Sequence, residues 1–219
     1  MINKLHLSIG ILSWKGYDSL TNSLISYHKN GLSKLTKNKF ICLPEYDDEG
    51  IKIAKRFGYA PILIEKNIGI LKGFKKLAEA MPKGPILLLE NDLDLIVCPK
   101  TTFNLLKNSI KFLLKYDLIQ VRLRSKLKPG EPFVALKKYK KYWSDNYFSK
   151  LCRFLRPYKA EKLIGTATYF LDNPEIRHPK KIEKVHEGFF LMPSSIMNWA
   201  NLAILVDRDI YLNTIIERA

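Results

Sequence analysis

The sequence predicts an α/β protein with a mostly parallel central sheet and helices on both faces. Three observations predict it. Short apolar runs alternate with segments of helical periodicity from Lys4 to Arg124, the connections between them are short, and Gly31 and Gly58 stand where helices should stop.

The elements follow in order. KLHLSIGILSW reads as a buried first strand, and DSLTNSLISYHKNG as the helix after it, with Asp18 as the expected cap and Leu20, Leu24 and Tyr27 on one face. KFICL is the second strand. DDEGIKIAKRFG is a short helix that turns Ile53, Ala54 and Phe57 inward. APILI, GILKGFKKLAEAM and PILLLE are the third strand, third helix and fourth strand. Pro99 and Thr101 open a helix on which Phe103, Leu106, Ile110 and Leu113 keep helical spacing, and DLIQVRLR closes the series.

After Ser125 the alternation stops. A basic, aromatic excursion follows, with a helix expected around residues 144–156. LIGTATYFL reads as a strand, HEGFFLMP as another, and SSIMNWANLAIL and DRDIYLNTIIERA as helices. The last helix runs to the final residue without a stop signal, so the chain is expected to be the first domain of a longer protein.

In a sheet of this kind ligands bind outside the carboxyl ends of the strands. Four segments should meet there: Ser13 and Trp14 after the first strand, Glu45 after the second, Asn67 and Gly69 after the third, and Glu90, Asn91, Asp92 and Asp94 after the fourth. Three carboxylates within five positions repel one another unless a cation or strong donors offset them. A hard divalent ion, Mg2+ or Mn2+, takes such oxygens and completes its shell with substrate phosphates. The plainer reading is a solvated loop that caps a helix.

Composition narrows the partners. The formal charge of +16 biases the 219-residue chain toward polyanions: nucleic acid, anionic headgroups or phosphorylated small molecules. Much of the excess is local, with thirteen Lys and Arg against three acids between Arg122 and Lys162, interleaved with aromatics such as Tyr139, Tyr142, Trp143, Tyr147 and Phe148. No apolar run approaches the ~20 residues of a membrane span. The widely spaced Cys42, Cys98 and Cys152 read as reduced packing residues. With no cleavage-site pattern at the N-terminus, a cytoplasmic location is expected. The basic segment adds an expected peripheral contact with the cytosolic face of a membrane.

The ordered set of motifs in LSIGILSWKGYDSLTNSLIS, ICLPEYDDEG, EKNIGILKGFKKLAEA and ILLLENDLDL resembles the nucleotide-sugar-binding half of a GT-A-fold glycosyltransferase, most similar to the inverting family-2 type. The resemblance implies a single GT-A-like, Rossmann-like domain over residues 1–219. Its first hundred residues would bind the nucleotide sugar and residues 101–219 would serve the acceptor. It implies transfer of a sugar from a nucleoside diphosphate, a UDP-sugar above all, to an acceptor hydroxyl on a glycan.

Roles are carried over residue by residue. Ser13, Trp14 and Glu45 would hold the base, with the Glu45 carboxylate accepting the uracil imide proton. Asn67 and Gly69 would contact the nucleoside and Lys72 the diphosphate, with Asn91 among the donor-binding residues. Asp92, with Glu90 or Asp94, would hold Mn2+ or Mg2+. Asp209 or Asp207 would deprotonate the acceptor, with Glu187 and Asp172 as rivals. Departures from the family pattern are Pro44 and Glu45 where paired aspartates are usual, Glu90 in place of the first aspartate of the metal motif, and no clean Glu-Asp ahead of the last helix.

Each residue also has an ordinary structural role open to it: packing for Trp14, turn chemistry for Asn67 and Gly69, solvation for Lys72, capping for Asp207 and Asp209. His178 and His186 read as surface or acceptor-loop residues. The basic aromatic segment reads first as an acceptor-binding region, so no nucleic acid is expected. A nucleic-acid-binding protein or metal-dependent nuclease is the alternative, although QVRLRSK lacks the acid-x-lysine a nuclease would want on the adjacent strand.

Overall fold

The computed structural model describes residues 4–124, 134–197 and 203–218. The first half follows the alternation: β1 (Ser8–Leu12), α1 (Tyr17–Lys29), β2 (Lys39–Pro44), α2 (Asp48–Arg56), β3 (Ala60–Ile64), α3 (Gly69–Ala80), β4 (Pro85–Glu90), α4 (Pro99–Lys115) and a two-residue β5 (Val121–Arg122). The second half holds α5 (Val134–Trp143), α6 (Tyr147–Leu155), α7 (Pro157–Glu161), α8 (Pro174–Arg177), the hairpin strands β6 (Glu183–His186) and β7 (Phe189–Leu191), then β8 (Ile204–Asp207) and α9 (Arg208–Ile210). Two compact units emerge, Met1–Leu123 with Asn201–Ala219, and Arg124–Ala200.

Among the described residues the first unit has one six-stranded sheet in the order β3-β2-β1-β4-β8-β5. β1 to β4 are mutually parallel, and β8 runs antiparallel between β4 and β5. The α/β class and the mostly parallel sheet are therefore as the sequence predicts. Side chains alternate across it as the pleat requires. Ile9, Ile11, Leu87 and Leu89 face α1 and α4 with Leu20, Leu24, Tyr27, Leu106 and Leu113. Leu12, Ile86 and Leu88 face α3 and the C-terminal helical turns with Phe74, Leu77, Ala78 and Tyr211. Each fully buried leucine or isoleucine contributes about 1.5–3 kcal/mol through apolar area removed from water. Gly10 lets α3 lie close on the sheet, since a Cβ there would stand 1.8 Å from the Met81 Cε and 2.9 Å from Leu77.

Several local expectations are corrected. α1 begins at Gly16 in a left-handed conformation with no side-chain cap, and Asp18 lies within its first turn. LIGTATYFL is a 3-10 turn over Ile164–Tyr169 rather than a strand, its Ile164 and Ala167 packed with Tyr139, Ile182 and Ile196. The end of the predicted helix SSIMNWANLAIL is strand β8, because a short apolar run satisfies a strand between two partners as well as a helix face. The middle of that segment, and residues 125–133 of the basic excursion, lie outside the described residues. His178 is buried, its Nε2 2.8 Å from the Tyr139 hydroxyl. Cys98 is exposed at the start of α4.

Candidate functional site

The carboxyl edge of the parallel strands brings together most of the predicted donor-side residues. Register fixes this. Leu12 pairs with Cys42 on one side and Glu90 on the other, and Pro44 pairs with Ile64. The segments after β1, β2, β3 and β4 therefore leave the sheet side by side.

Trp14 and Glu45 are in direct contact: the indole Nε1 donates to Glu45 Oε2 at 2.7 Å. Lys15 strengthens the link, donating to the Glu45 carbonyl at 3.0 Å and lying 3.6 Å from the Asp47 carboxylate. Asp47 also accepts from the Gly50 N–H at 3.0 Å and from the Tyr17 hydroxyl. Those bonds, the Gly50 amide first and the Tyr17 hydroxyl next, hold the Asp47 carboxyl below the usual range. Burial, then Asp47, pushes the Tyr17 phenol up. Two turns far apart in sequence are thereby cross-linked. Lys15 and Glu45 both sit at positive φ, 54° and 49°, a conformation uncommon for residues with a Cβ.

A cleft of about 140 Å³ opens beside this link, lined by Leu12, Trp14, Pro44, Asn67, Gly69 and Ile70. Trp14 and Ile70 flank it while 54% and 53% exposed, an apolar rim on an otherwise polar edge. The Asn67 side chain accepts from the Gly69 N–H at 2.9 Å, an Asx turn that starts α3. Gly69 has φ +75° with nothing within 4 Å of where a Cβ would be, so its backbone is open to close approach. Lys72 is exposed one turn into α3. Ser13 is fully buried and donates its hydroxyl to the Lys15 carbonyl at 3.2 Å, so its side chain shapes the turn and does not face the cleft.

The acidic loop after β4 is tied along one face of α1. Ser23 donates to the Asn91 carbonyl at 3.1 Å and to Asp94 Oδ1 at 3.2 Å. The Tyr27 hydroxyl donates to the Leu93 carbonyl at 2.6 Å, Ser26 accepts from the Leu95 N–H at 2.9 Å, and Asn30 donates to the Leu95 carbonyl at 2.5 Å. Positions 23, 26, 27 and 30 are the i, i+3, i+4, i+7 stripe of a helix. Asn91 reaches back to the Gly16 carbonyl at 3.4 Å. The sequence expectation missed this stripe, although its spacing was visible in the chain.

The consequence for the acids is specific. Asp94 is exposed and accepts from Ser23 through Oδ1. Glu90 is half-buried at the strand end, and its carboxyl is raised first by burial and then by the charge of Asp92. Asp92 is exposed. Among the described residues no three His, Cys, Asp or Glu side chains gather as a ready metal set. Glu90 and Asp92 remain a two-carboxylate pair, a donor set that suits a hard divalent ion sharing its shell with phosphate oxygens and water.

Asp207 and Asp209 are not at this edge. Asp207 pairs with Pro85, the first residue of β4, while Glu90 is the last. At ~3.3 Å per residue that separates them by about 17 Å along the strand, so neither is in reach of a hydroxyl at the carboxyl edge. Their roles here are structural. Asp207 caps α9, accepting from the Asp209 and Ile210 N–H groups, and Asp209 pairs with Arg208 at 3.0 Å. The rivals Asp172 and Glu187 are exposed residues of the second unit.

No protein-family model matches the chain, and no curated protein matches it. Among solved structures, a cytidylyltransferase from Leptospira borgpetersenii serovar Hardjo-bovis (strain JB197) is similar at 19% identity and a TM-score of 0.37. The likeness covers 48% of this chain and 48% of that one, too little to transfer a reaction. Among the described residues no helix is long and apolar enough to cross a membrane.

Proposed function

We propose that the carboxyl edge of the first unit binds the nucleoside diphosphate of a sugar donor, and that the chain is a metal-dependent glycosyltransferase acting on an acceptor hydroxyl of a glycan. The observation that carries this reading is the meeting of Trp14, Asn67 and Gly69 around one cleft, with Glu45 bonded to the Trp14 indole and Glu90 ending the strand next to Leu12. Trp14 offers an exposed aromatic face to a nucleobase. Glu45, held by the indole, keeps lone pairs free, since a carboxylate accepts up to about four bonds. A uracil imide N–H is a donor such a group suits, in keeping with a UDP-sugar.

Asn67 and Gly69 would lie along the ribose, where the open glycine permits backbone contact. Lys72, exposed one turn into α3, would meet the diphosphate. Glu90 and Asp92 would hold Mg2+ or Mn2+, an ion that neutralises charge developing on a diphosphate leaving group. Burial, and after it the charge of Asp92, raises the Glu90 carboxyl, and a shared cation would offset that repulsion. Asp207 and Asp209 have no part in this chemistry.

A thermal-shift experiment tests the reading. UDP with Mn2+ should raise the Tm, each alone should raise it less, and Asp92→Ala should remove the joint effect. No response to any nucleoside diphosphate, combined with salt-dependent DNA affinity, would instead establish the nucleic-acid reading.

A further inference from the structure

α6 is amphipathic in reverse. Its apolar residues Tyr147, Phe148, Leu151, Phe154 and Leu155 recur at i, i+1, i+4, i+7 and i+8, the stripe that a helix of a soluble domain normally turns to its core. Here that stripe faces outward, from 39% exposed at Leu151 to 82% at Phe154. The inward face carries Ser149, Cys152 and Arg153 instead. Ser149 is 2% exposed. Arg153 donates to the Tyr142 carbonyl at 2.5 Å, and its guanidinium stacks 5.0 Å from the Trp143 ring. The helix is thus anchored by polar contacts and presents its apolar side. Tyr158, on α7, extends the surface at 83% exposed.

The charge around this face has one sign. Lys150 on α6 and Lys159 on α7 are exposed, as is Arg156 between the two helices, and Lys140 and Lys141 precede them. The two acids of the neighbourhood are already paired, Asp145 with Arg177 at 2.5 Å and Glu161 with Lys181 at 2.5 Å. An exposed stripe of phenylalanine, leucine and tyrosine rimmed by lysine and arginine fits the boundary between headgroups and acyl chains of an anionic bilayer. The rings and leucines enter the apolar layer while the cations meet phosphates. A second copy of the same face fits less well, because the rims would repel. A nucleic-acid strand would use the aromatics for stacking but leave Leu151 and Leu155 in water.

We infer that α6 and α7 form a peripheral docking surface for anionic membrane. The inference rests on the second unit alone and holds whether or not the first unit binds nucleotide. Flotation of the full chain with phosphatidylcholine vesicles, with and without phosphatidylglycerol, tests it. The chain should float only with the anionic vesicles. Phe148→Ser with Phe154→Ser should reduce binding about tenfold or more. Lys150→Glu with Lys159→Glu should weaken binding and flatten its salt dependence. Leu114→Ser, an exposed apolar residue on α4, should change nothing. Because the substituted phenylalanines are solvent-exposed, an unchanged thermal melt should accompany the loss. Failure of the wild-type chain to float, undiminished flotation of the double phenylalanine variant, or a vesicle-indifferent chain whose dimerisation or oligonucleotide binding is lost in that variant would each overturn the proposal.

Discussion

The indole of Trp14 donates to the Glu45 carboxylate at 2.7 Å, joining the turns that follow β1 and β2. The bond is exposed, so its direct worth to folding is small and its effect falls on how the cleft is shaped. Trp14→Phe, which keeps a ring and removes the donor, should shift unfolding by no more than about 0.5 kcal/mol. UDP affinity measured calorimetrically should fall about tenfold, the scale of one lost hydrogen bond to a charged group. Glu45→Gln should fall similarly, and unchanged affinity in both would remove these residues from the donor site.

Tyr27 is buried, and its hydroxyl is the donor to the Leu93 carbonyl. Tyr27→Phe leaves that carbonyl without its partner at a cost of about 1–3 kcal/mol, read as a lower urea midpoint at constant slope. The acidic loop loosens as well, so the stabilisation by UDP with Mn2+ should shrink in the same variant. A stability loss with full ligand response would mean that the loop needs no pinning to place Asp92.

Asp207→Ala removes the cap of α9 and should cost about 1 kcal/mol, with Asp207→Asn recovering most of it. Neither Asp207→Ala nor Asp209→Ala should change UDP binding or any sugar transfer measured with purified protein. Loss of transfer in a variant that remains folded would restore these acids to the reaction.

His178 supplies a pH dependence of the second unit. Burial, then the charges of Arg177 and Arg153, lower its pKa from 6.5 to about 4. The folded ring stays neutral while the unfolded ring takes a proton, so the unfolded state binds more protons between those values. Stability is therefore complete above about 6.5 and is lost as the pH falls toward 4. His178→Gln should be less stable at neutral pH, since the bond to Tyr139 is disturbed, but its stability should vary less across that window. Denaturant melts at several pH values check this. An equally steep acid loss in the variant would assign the effect to other groups.

Much of the first unit was legible in the chain because its signals are local. APILI and PILLLE coincide with β3 and β4, and Gly58 and Asp47 stand at the ends of α2, where backbone chemistry favours them. LIGTATYFL and NLAIL were misread because a short apolar run has no period long enough to separate strand from helix, and its partners decide. The α1 stripe of Ser23, Ser26, Tyr27 and Asn30 passed unremarked. Polar side chains facing a helix look like solvated positions until a loop is laid along them.

The sequence by itself determined the parallel α/β layout and the edge at which Trp14, Glu45, Asn67 and Glu90 would gather, because strand polarity follows from the order of strands and helices. Tertiary structure decided which neighbours each acid faces. Reversal of one strand, β8, carried Asp207 to the opposite edge, and packing of the acidic loop along α1 set Asp94 against Ser23. Direction and distance between segments remote in the chain arise from packing, and no residue pattern within a single segment encodes them.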